Sequence, residues 1–535
     1  MIIVLFLIIV GIVILFCVLG QKLSYHLGLP ALLLFIGVGM LFGSDGILQI
    51  PFNDFALAEK ICTVALIFIM FYGGFGTNWQ AAKPVAAPSI LLSTVGVLLT
   101  AGLTGAFCHF VLQMSWLEGL LIGSVLSSTD AASVFSILRS RKLNLKNNTA
   151  SLLEVESGSN DPCAYMLTVI LLAILQGQAE SGALLYAVFA QVVYGMISGL
   201  LIAFLAGWLL KKFQFKASGF DTIFVFAIAL LSYAVPAYFG GNGYLSAYLV
   251  GIILGNQKIP NKRSLVYFFD AFNGMMQILI FFLLGLLSFP SQMPAVFGVS
   301  IAIAVFLTVI ARPLVVILLL KPFHASWRQQ FIVAWAGLRG AASIVFAIMV
   351  VVANAGIEQD IFHIVFCVVL LSILFQGTLL AWVSKKLDFI DEKSDVLRTF
   401  NDYAENTEVQ FIRLLIKPDN PWVGNAVKDI VLPPNTLLAA ILRKGQVIVP
   451  KGNTIVYAGD CVILGAEGYL GDEEEIPLQE VTVYANNPWV GKPLAELKLP
   501  RNTIIILIRR DGQNILPDGN TEVLAGDILV LYASA

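Results

Sequence analysis

Apolar runs of membrane-spanning length recur along the first 386 residues, and no other feature restricts the fold as much. They lie at roughly 1 to 20, 27 to 44, 61 to 77, 86 to 113, 117 to 138, 150 to 176, 183 to 210, 220 to 237, 243 to 257, 272 to 288, 294 to 320, 328 to 353 and 361 to 384. About 20 apolar residues carry a helix across the hydrocarbon core, and backbone in lipid must satisfy its own hydrogen bonds. The expected fold is therefore an all-helical polytopic membrane domain, 1–386, of about 13 transmembrane helices. Composition agrees, at 58% hydrophobic and 12% charged residues with a mean hydropathy of +0.86, far from a soluble balance. Met1 to Leu19 lacks a charged leader and a small-residue cleavage site, so it reads as a retained helix.

The loops give an independent reading of topology. Lys22, then Lys83, then Arg139, Arg141, Lys142 and Lys146, then Lys211, Lys212 and Lys216 occupy every second loop, and Lys258, Lys262, Arg263, Lys321, Arg328, Lys385 and Lys386 continue the series. The intervening loops carry Asp45, Asp54, Glu118, Glu180, Glu358 and Asp360 instead. Positive loops face the cytoplasm, so the N-terminus is expected outside and the C-terminus in the cytoplasm. The net charge of −2 gives no reason to expect nucleic acid as a partner.

Beyond Lys386 the chain turns polar. Residues 387–408 read as a linker, and 409–471 and 472–535 as two small tandem cytoplasmic α/β domains with strands such as I-L-R-x-G and G-D turns. The repeat is explicit: N-P-W-V-G at 420–424 recurs at 487–491, and the same offset carries Arg443 onto Arg510, Gly452 onto Gly519 and Asp460 onto Asp527. An acidic segment, Asp472 to Glu475, joins the copies. Neither copy holds G-x-G-x-x-G or G-K-[ST], so dinucleotide and Walker sites lack support. A regulator-binding or dimerising role is expected.

Three polar islands interrupt the spans: S-S-T-D-A-A at Ser127 to Ala132, L-E-V-E-S-G-S-N-D-P at Leu153 to Pro162, and G-L-R-G-A at Gly337 to Ala341. Ionisable groups at membrane depth are costly and mark ion or proton paths. Gly158 and Pro162 allow a loop as the competing reading of the second island, although the apolar flanks leave it little room. Serine, threonine and glycine at mid-span loosen a helix and free carbonyls and helix ends for a cation. Thr129 and Asp130 fit that description, and Asp130 is equally suited to capping the next helix.

Asp161 is the expected carrier carboxylate, since burial and polar neighbours act on it in opposite senses and leave it able to exchange a proton for a cation. Asn160 adds a dipole without charge, which favours one-for-one exchange. Ser157 either offers its hydroxyl oxygen to the ion or bonds back to its own helix. Arg339 keeps its proton and needs a partner in hydrocarbon; Glu156 is the natural one, with Asn160 bridging. Glu154 faces elsewhere, toward the rim of the site or a dimer interface. The six cysteines and four histidines are scattered and imply no disulfide framework, metal centre or cofactor. Glycines 73, 74 and 76 read as helix-packing positions.

Together these motifs resemble those of the bacterial sodium or potassium/proton antiporters of the cation/proton antiporter superfamily, on the branch whose sixth helix carries Asn-Asp. The tandem repeat resembles the C-terminal module of potassium-transport regulators, which dimerises and in several systems binds small ligands, including cyclic di-AMP. The resemblance implies inverted repeats, an elevator-like core on a homodimeric scaffold, a monovalent cation as substrate, and a cyclic dinucleotide as candidate regulator. It assigns the ion aspartate to Asp161, backbone and hydroxyl ligands to Thr129 and Ser157, and a stabilising pair to Glu156 and Arg339. One departure stands out: many relatives carry an acidic residue before the Gly-Gly pair of the third span, and here Tyr72 precedes Gly73 and Gly74. The leading expectation is electroneutral potassium/proton exchange regulated by the C-terminal modules, with sodium as the alternative cargo. A channel would need repeated filter elements and an enzyme a nucleophile-base pair or metal cluster, and the sequence offers neither.

Overall fold

The computed structural model describes residues 2–27, 30–140, 143–177, 181–213, 219–354, 356–391, 409–433, 436–443, 446–467, 478–484, 487–497, 499, 503–510, 513–515, 517 and 519–533. Outside them lie Arg141, Lys142 and Lys216 of the basic loops, most of the expected linker (392–408), the acidic Asp472 to Glu475, and Asn435, Gly445, Pro500, Asn502 and Gly512 of the repeat. The chain divides into two compact units, Met1–Glu405 and Asn406–Ala535.

The first unit is built from helices, beginning with α1 (Ile2–Leu27), α2 (Ala31–Phe42), α3 (Phe55–Gly76) and α4 (Trp79–Phe110). Next come α5 (Trp116–Val125), α6 (Ala131–Ser140), α7 (Thr149–Leu175), α8 (Ser181–Lys212) and α9 (Phe220–Tyr238). The unit closes with α10 (Gly243–Gly255), α11 (Lys262–Leu287), α12 (Met293–Phe323), α13 (Trp327–Trp335), α14 (Ala341–Val352) and α15 (Ile361–Lys386). Among the described residues eight helices are long and apolar enough to cross a bilayer, and five shorter apolar segments accompany them.

Two of the polar islands break helices and the third does not. At Ser127 to Asp130, hydroxyls and a carboxylate compete for backbone partners; α5 stops at Val125 and α6 restarts at Ala131. At Ala336 to Gly340 two glycines interrupt the run between α13 and α14. The breaks meet, with Asp130 N–H donating to the Leu338 carbonyl at 2.8 Å. Gly340 is required at this crossing, because a β-carbon there would run into the Asp130 side chain. Leu153 to Pro162, by contrast, lies wholly inside α7, so the loop reading is wrong. Gly158 and Pro162 cost helix propensity, but burial of this face offsets them, and the Tyr248 ring lies where a Gly158 side chain would be.

Close helix contacts explain one of the three packing glycines. Gly74 on α3 sits against the Tyr248 carbonyl of α10, with Gly251 set reciprocally against the Phe71 carbonyl. Gly73 has open space beside its α-carbon and lines a cavity instead. After α15 the chain turns back along the same unit: Asp391 N–H donates to the Asn144 carbonyl at 2.9 Å and Lys146 N–H to Phe389 at 3.1 Å.

The second unit corrects the α/β expectation. Strands β1 (Val409–Leu415), β2 (Thr436–Arg443), β3 (Gln446–Ile448) and β4 (Cys461–Glu467) form an antiparallel sheet of order β1-β4-β2-β3. Strands β5 (Leu478–Thr482), β6 (Thr503–Arg510), β7 (Gln513–Ile515) and β8 (Ile528–Ala533) repeat it as β5-β8-β6-β7. Helix is confined, among the described residues, to one short 3₁₀ turn per copy, at Val427–Asp429 and Leu494–Glu496. The segment before β2 carries Pro421, Gly424 and Pro433, which leave no uninterrupted run long enough for a helix. The repeat extends to packing, since Ile416, Leu438, Ile441, Val456 and Val462 in one core stand as Val483, Ile505, Ile508, Val523 and Leu529 in the other.

The repeated Gly-Asp turns do more than reverse the chain. Arg443 donates to both carboxylate oxygens of buried Asp460 at 2.8 and 2.7 Å, and Arg510 does the same to Asp527 at 2.8 and 2.8 Å. These bonds hold both carboxyls below the usual carboxylate range against the opposing effect of burial. Their stabilisation is complete above about pH 4 and is lost as the pH falls through the depressed folded-state values. Asp460→Asn and Asp527→Asn are each expected to lower unfolding free energy by about 3 kcal/mol at pH 7, read by urea unfolding of residues 406–535. The difference from the parent should shrink as the pH is taken below about 4.

Candidate ion-binding site

The site forms where the α5–α6 break packs on the middle of α7. Ser157 Oγ donates to the Thr129 carbonyl at 2.6 Å, and Asn160 Nδ2 donates to Thr129 Oγ1 at 2.5 Å. Ser128 Oγ donates to Asp161 Oδ1. Ser157, Asn160 and Asp161 of α7 are thus engaged by Ser128 and Thr129, which are free to turn toward them because the helix is interrupted there. Asp130 caps α6 through Ser133 N–H at 3.3 Å and Ser133 Oγ at 2.5 Å, and it also borders the cavity described next. The expected cap is formed, and the same side chain lies on the cavity wall.

Asp161 is buried at the inner end of a cavity of about 580 Å³. The carboxylates on the cavity wall are Asp130, Glu154, Asp161 and Asp270, and no Lys, Arg or His lines it among the described residues. Such a lining concentrates cations. Glu154 sits on this wall, buried, and accepts from Thr77 Oγ1 at 3.1 Å. Tyr72 also borders the cavity and donates to Asp270 Oδ1 at 2.6 Å. Tyr72 thus brings a carboxylate of α11 against the end of α3. Asp270 was not expected from the sequence, although an acid inside a long apolar helix was a usable signal.

The expected Glu156–Arg339 brace is replaced by another pair. Glu156 Oε1 lies 2.6 Å from Nη2 of Arg312 on α12, and both side chains are buried. Arg339 is also buried, but its Nη1 donates to the Ser128 carbonyl at 2.7 Å. Asn160 does not bridge the pair, because its amide is turned to Thr129. The reason is geometric: the α13–α14 break lays Arg339 across the other break, beside Ser128, while Arg312 approaches α7 from a neighbouring helix. Arg312 is a residue that sequence reasoning missed, and its arginine inside the 294 to 320 run was the available sign.

The arrangement separates two kinds of charge. Arg312 and Glu156 neutralise each other, whereas Asp161 faces hydroxyls and a cavity and can take a cation or a proton. Its neighbours are oxygen donors, as hard monovalent cations require.

Residues 6–386 match the family model described as sodium/hydrogen exchanger, transmembrane. The chain belongs to the sodium/hydrogen exchanger family. It is a multi-pass membrane transporter, and every residue of the site lies within the matched part. Residues 411–467 and 478–535 match the TrkA-C domain, one match for each sheet. The K(+)/H(+) antiporter NhaP of Alkalimonas amylolytica is 35% identical over 85% of this chain and 80% of its own length. The K(+)/H(+) antiporter NhaP2 of Shewanella sp. (strain MR-4) is 35% identical over 84% and 79%, and the Na(+)/H(+) antiporter ApNhaP of Aphanothece halophytica 29% over 72% and 74%. The solved structure of the sodium proton antiporter MjNhaP1 from Methanocaldococcus jannaschii at pH 8 shares the fold, with a TM-score of 0.62 at 24% identity over 71% of this chain and 99% of that one.

Removing one member of the Arg312–Glu156 pair strands a buried charge. Arg312→Gln is expected to lower thermal stability in detergent by about 3–5 kcal/mol. The double variant Arg312→Gln/Glu156→Gln should recover most of the loss, and strictly additive losses would show that the pair is uncoupled.

Proposed function

We propose that the protein exchanges potassium for protons across the cell membrane, one for one, with Asp161 holding a proton and the cation in turn. The observation that carries this reading is Asp161 at the inner end of a carboxylate-lined cavity, held by Ser128 beside Thr129. Cation entry past Asp270 and Glu154 brings the ion to Asp161, Thr129 and Ser157, with Asp130 adding negative charge at the wall. Binding displaces the proton from Asp161, and the two ligands exclude each other at one site. Asn160 and the Arg312–Glu156 pair leave a single titrating carrier, which makes the exchange electroneutral. Arg339 orients the Ser128 break. Potassium is favoured because the relatives of about 35% identity are named K(+)/H(+) antiporters. Sodium is the alternative, favoured by ApNhaP.

The same reading takes the membrane part, 1–386, as 13 spans in inverted repeats, counting α5 with α6 and α13 with α14 as single interrupted spans. The alternation of basic loops supports an N-terminus outside and a C-terminus in the cytoplasm. Gln21 and Asp270, exposed on the cavity rim, lie close in sequence to the basic residues Lys22 and Lys262, so the cavity opens toward the cytoplasm. Residues 387–408 then serve as a linker, with regulatory modules at 409–471 and 472–535 binding a small molecule such as a cyclic dinucleotide. The working unit is a homodimer.

In proteoliposomes carrying a pH-sensitive dye, Asp161→Asn is expected to abolish cation-dependent proton movement while the protein still folds and inserts. The parent should respond to potassium more strongly than to sodium or lithium. Exchange retained by Asp161→Asn would remove Asp161 as carrier.

A further inference from the structure

A pair of side chains on α15, outside the cavity, is tied to the same site. Within α15 the stretch Ser372–Gly377 widens into a π-helical turn, a distortion that often accompanies functional positions. Ser372 and Gln376 are both buried there. Ser372 Oγ accepts from the Arg339 backbone N–H at 3.1 Å and donates to Gln376 Oε1 at 2.6 Å. Gln376 Nε2 donates to the carbonyl of Trp335, the last residue of α13, at 3.2 Å. The Trp335 indole N–H returns the contact to the Gln376 carbonyl, also at 3.2 Å.

A broken helix in lipid leaves backbone groups that no water can satisfy. Here one Ser-Gln pair satisfies an N–H inside the α13–α14 break and the C=O of the last residue before it. The contacts continue to the ion site: Arg339 N–H rests on Ser372, its guanidinium donates to the Ser128 carbonyl, and the Ser128 hydroxyl donates to Asp161. We infer that Ser372 and Gln376 are positioning residues for cation binding, a clamp on α15 that fixes the Arg339 break and, through Ser128, the placement of Asp161. The inference rests on Asp161 being the carrier.

The clamp predicts a selective kinetic defect. In proteoliposomes of the full chain, Ser372→Ala should raise the apparent KM for potassium about fivefold, the equivalent of one net hydrogen bond of about 1 kcal/mol, with the maximal rate within about twofold of the parent. Ser372→Thr, which keeps the hydroxyl, should restore the parent KM. Gln376→Leu should reproduce the Ser372→Ala defect, and the double variant should be no worse than either single change, since both act through one contact. An unchanged apparent KM in Ser372→Ala, whether or not the yield of folded protein falls, overturns the proposal. Failure of the carrier assignment looks different, because it leaves exchange intact in Asp161→Asn.

Discussion

The hydrogen bond from Asp130 N–H to the Leu338 carbonyl is the contact on which the membrane unit turns. Interrupting a helix inside hydrocarbon exposes peptide groups at a cost of several kcal/mol each. Two interruptions that cross can satisfy one another, and this crossing does so only because Gly340 leaves room for Asp130. Once the breaks are fixed, their loose ends become the surface that meets α7. Thr129 offers its carbonyl and hydroxyl to α7, Ser128 reaches Asp161, and Arg339 is laid over the crossing.

Charge is arranged on the same principle. The Arg312–Glu156 pair is closed, with its two charges 2.6 Å apart and away from the cavity wall. Asp161 is open, held by a hydroxyl and, among the described residues, without an arginine on the wall it faces. A guanidinium against Asp161 would hold it ionised and repel a cation. Placing Arg339 on a carbonyl and giving Glu156 a different arginine avoids that outcome. At the rim, Tyr72 of α3 donates to Asp270 of α11.

Much of this was legible in the sequence because the governing signals are local. The apolar runs, the three polar islands and the repeat each depend on residues near one another in the chain. The repeat offset even carries over to the β-bulges, at Leu438/Ala440 and Ile505/Leu507. What sequence reasoning missed is set by distant partners. Arg312 meets Glu156 from another helix, Asp270 meets Tyr72, and Ser372 and Gln376 look like ordinary polar residues until the α13–α14 break is seen to need them. The α/β expectation for the C-terminal modules has the same origin, since short strands separated by turns do not reveal whether the connections are helical. Pro421, Gly424 and Pro433 held the answer.

Competition between proton and cation for one carboxylate can be measured without transport. Purified protein in weakly buffered detergent with a pH indicator should release one proton for each potassium ion bound, at a pH where Asp161 is protonated before the ion arrives. The Asp161→Asn variant should release none. Saturable potassium binding by the parent with no accompanying proton release would contradict the account.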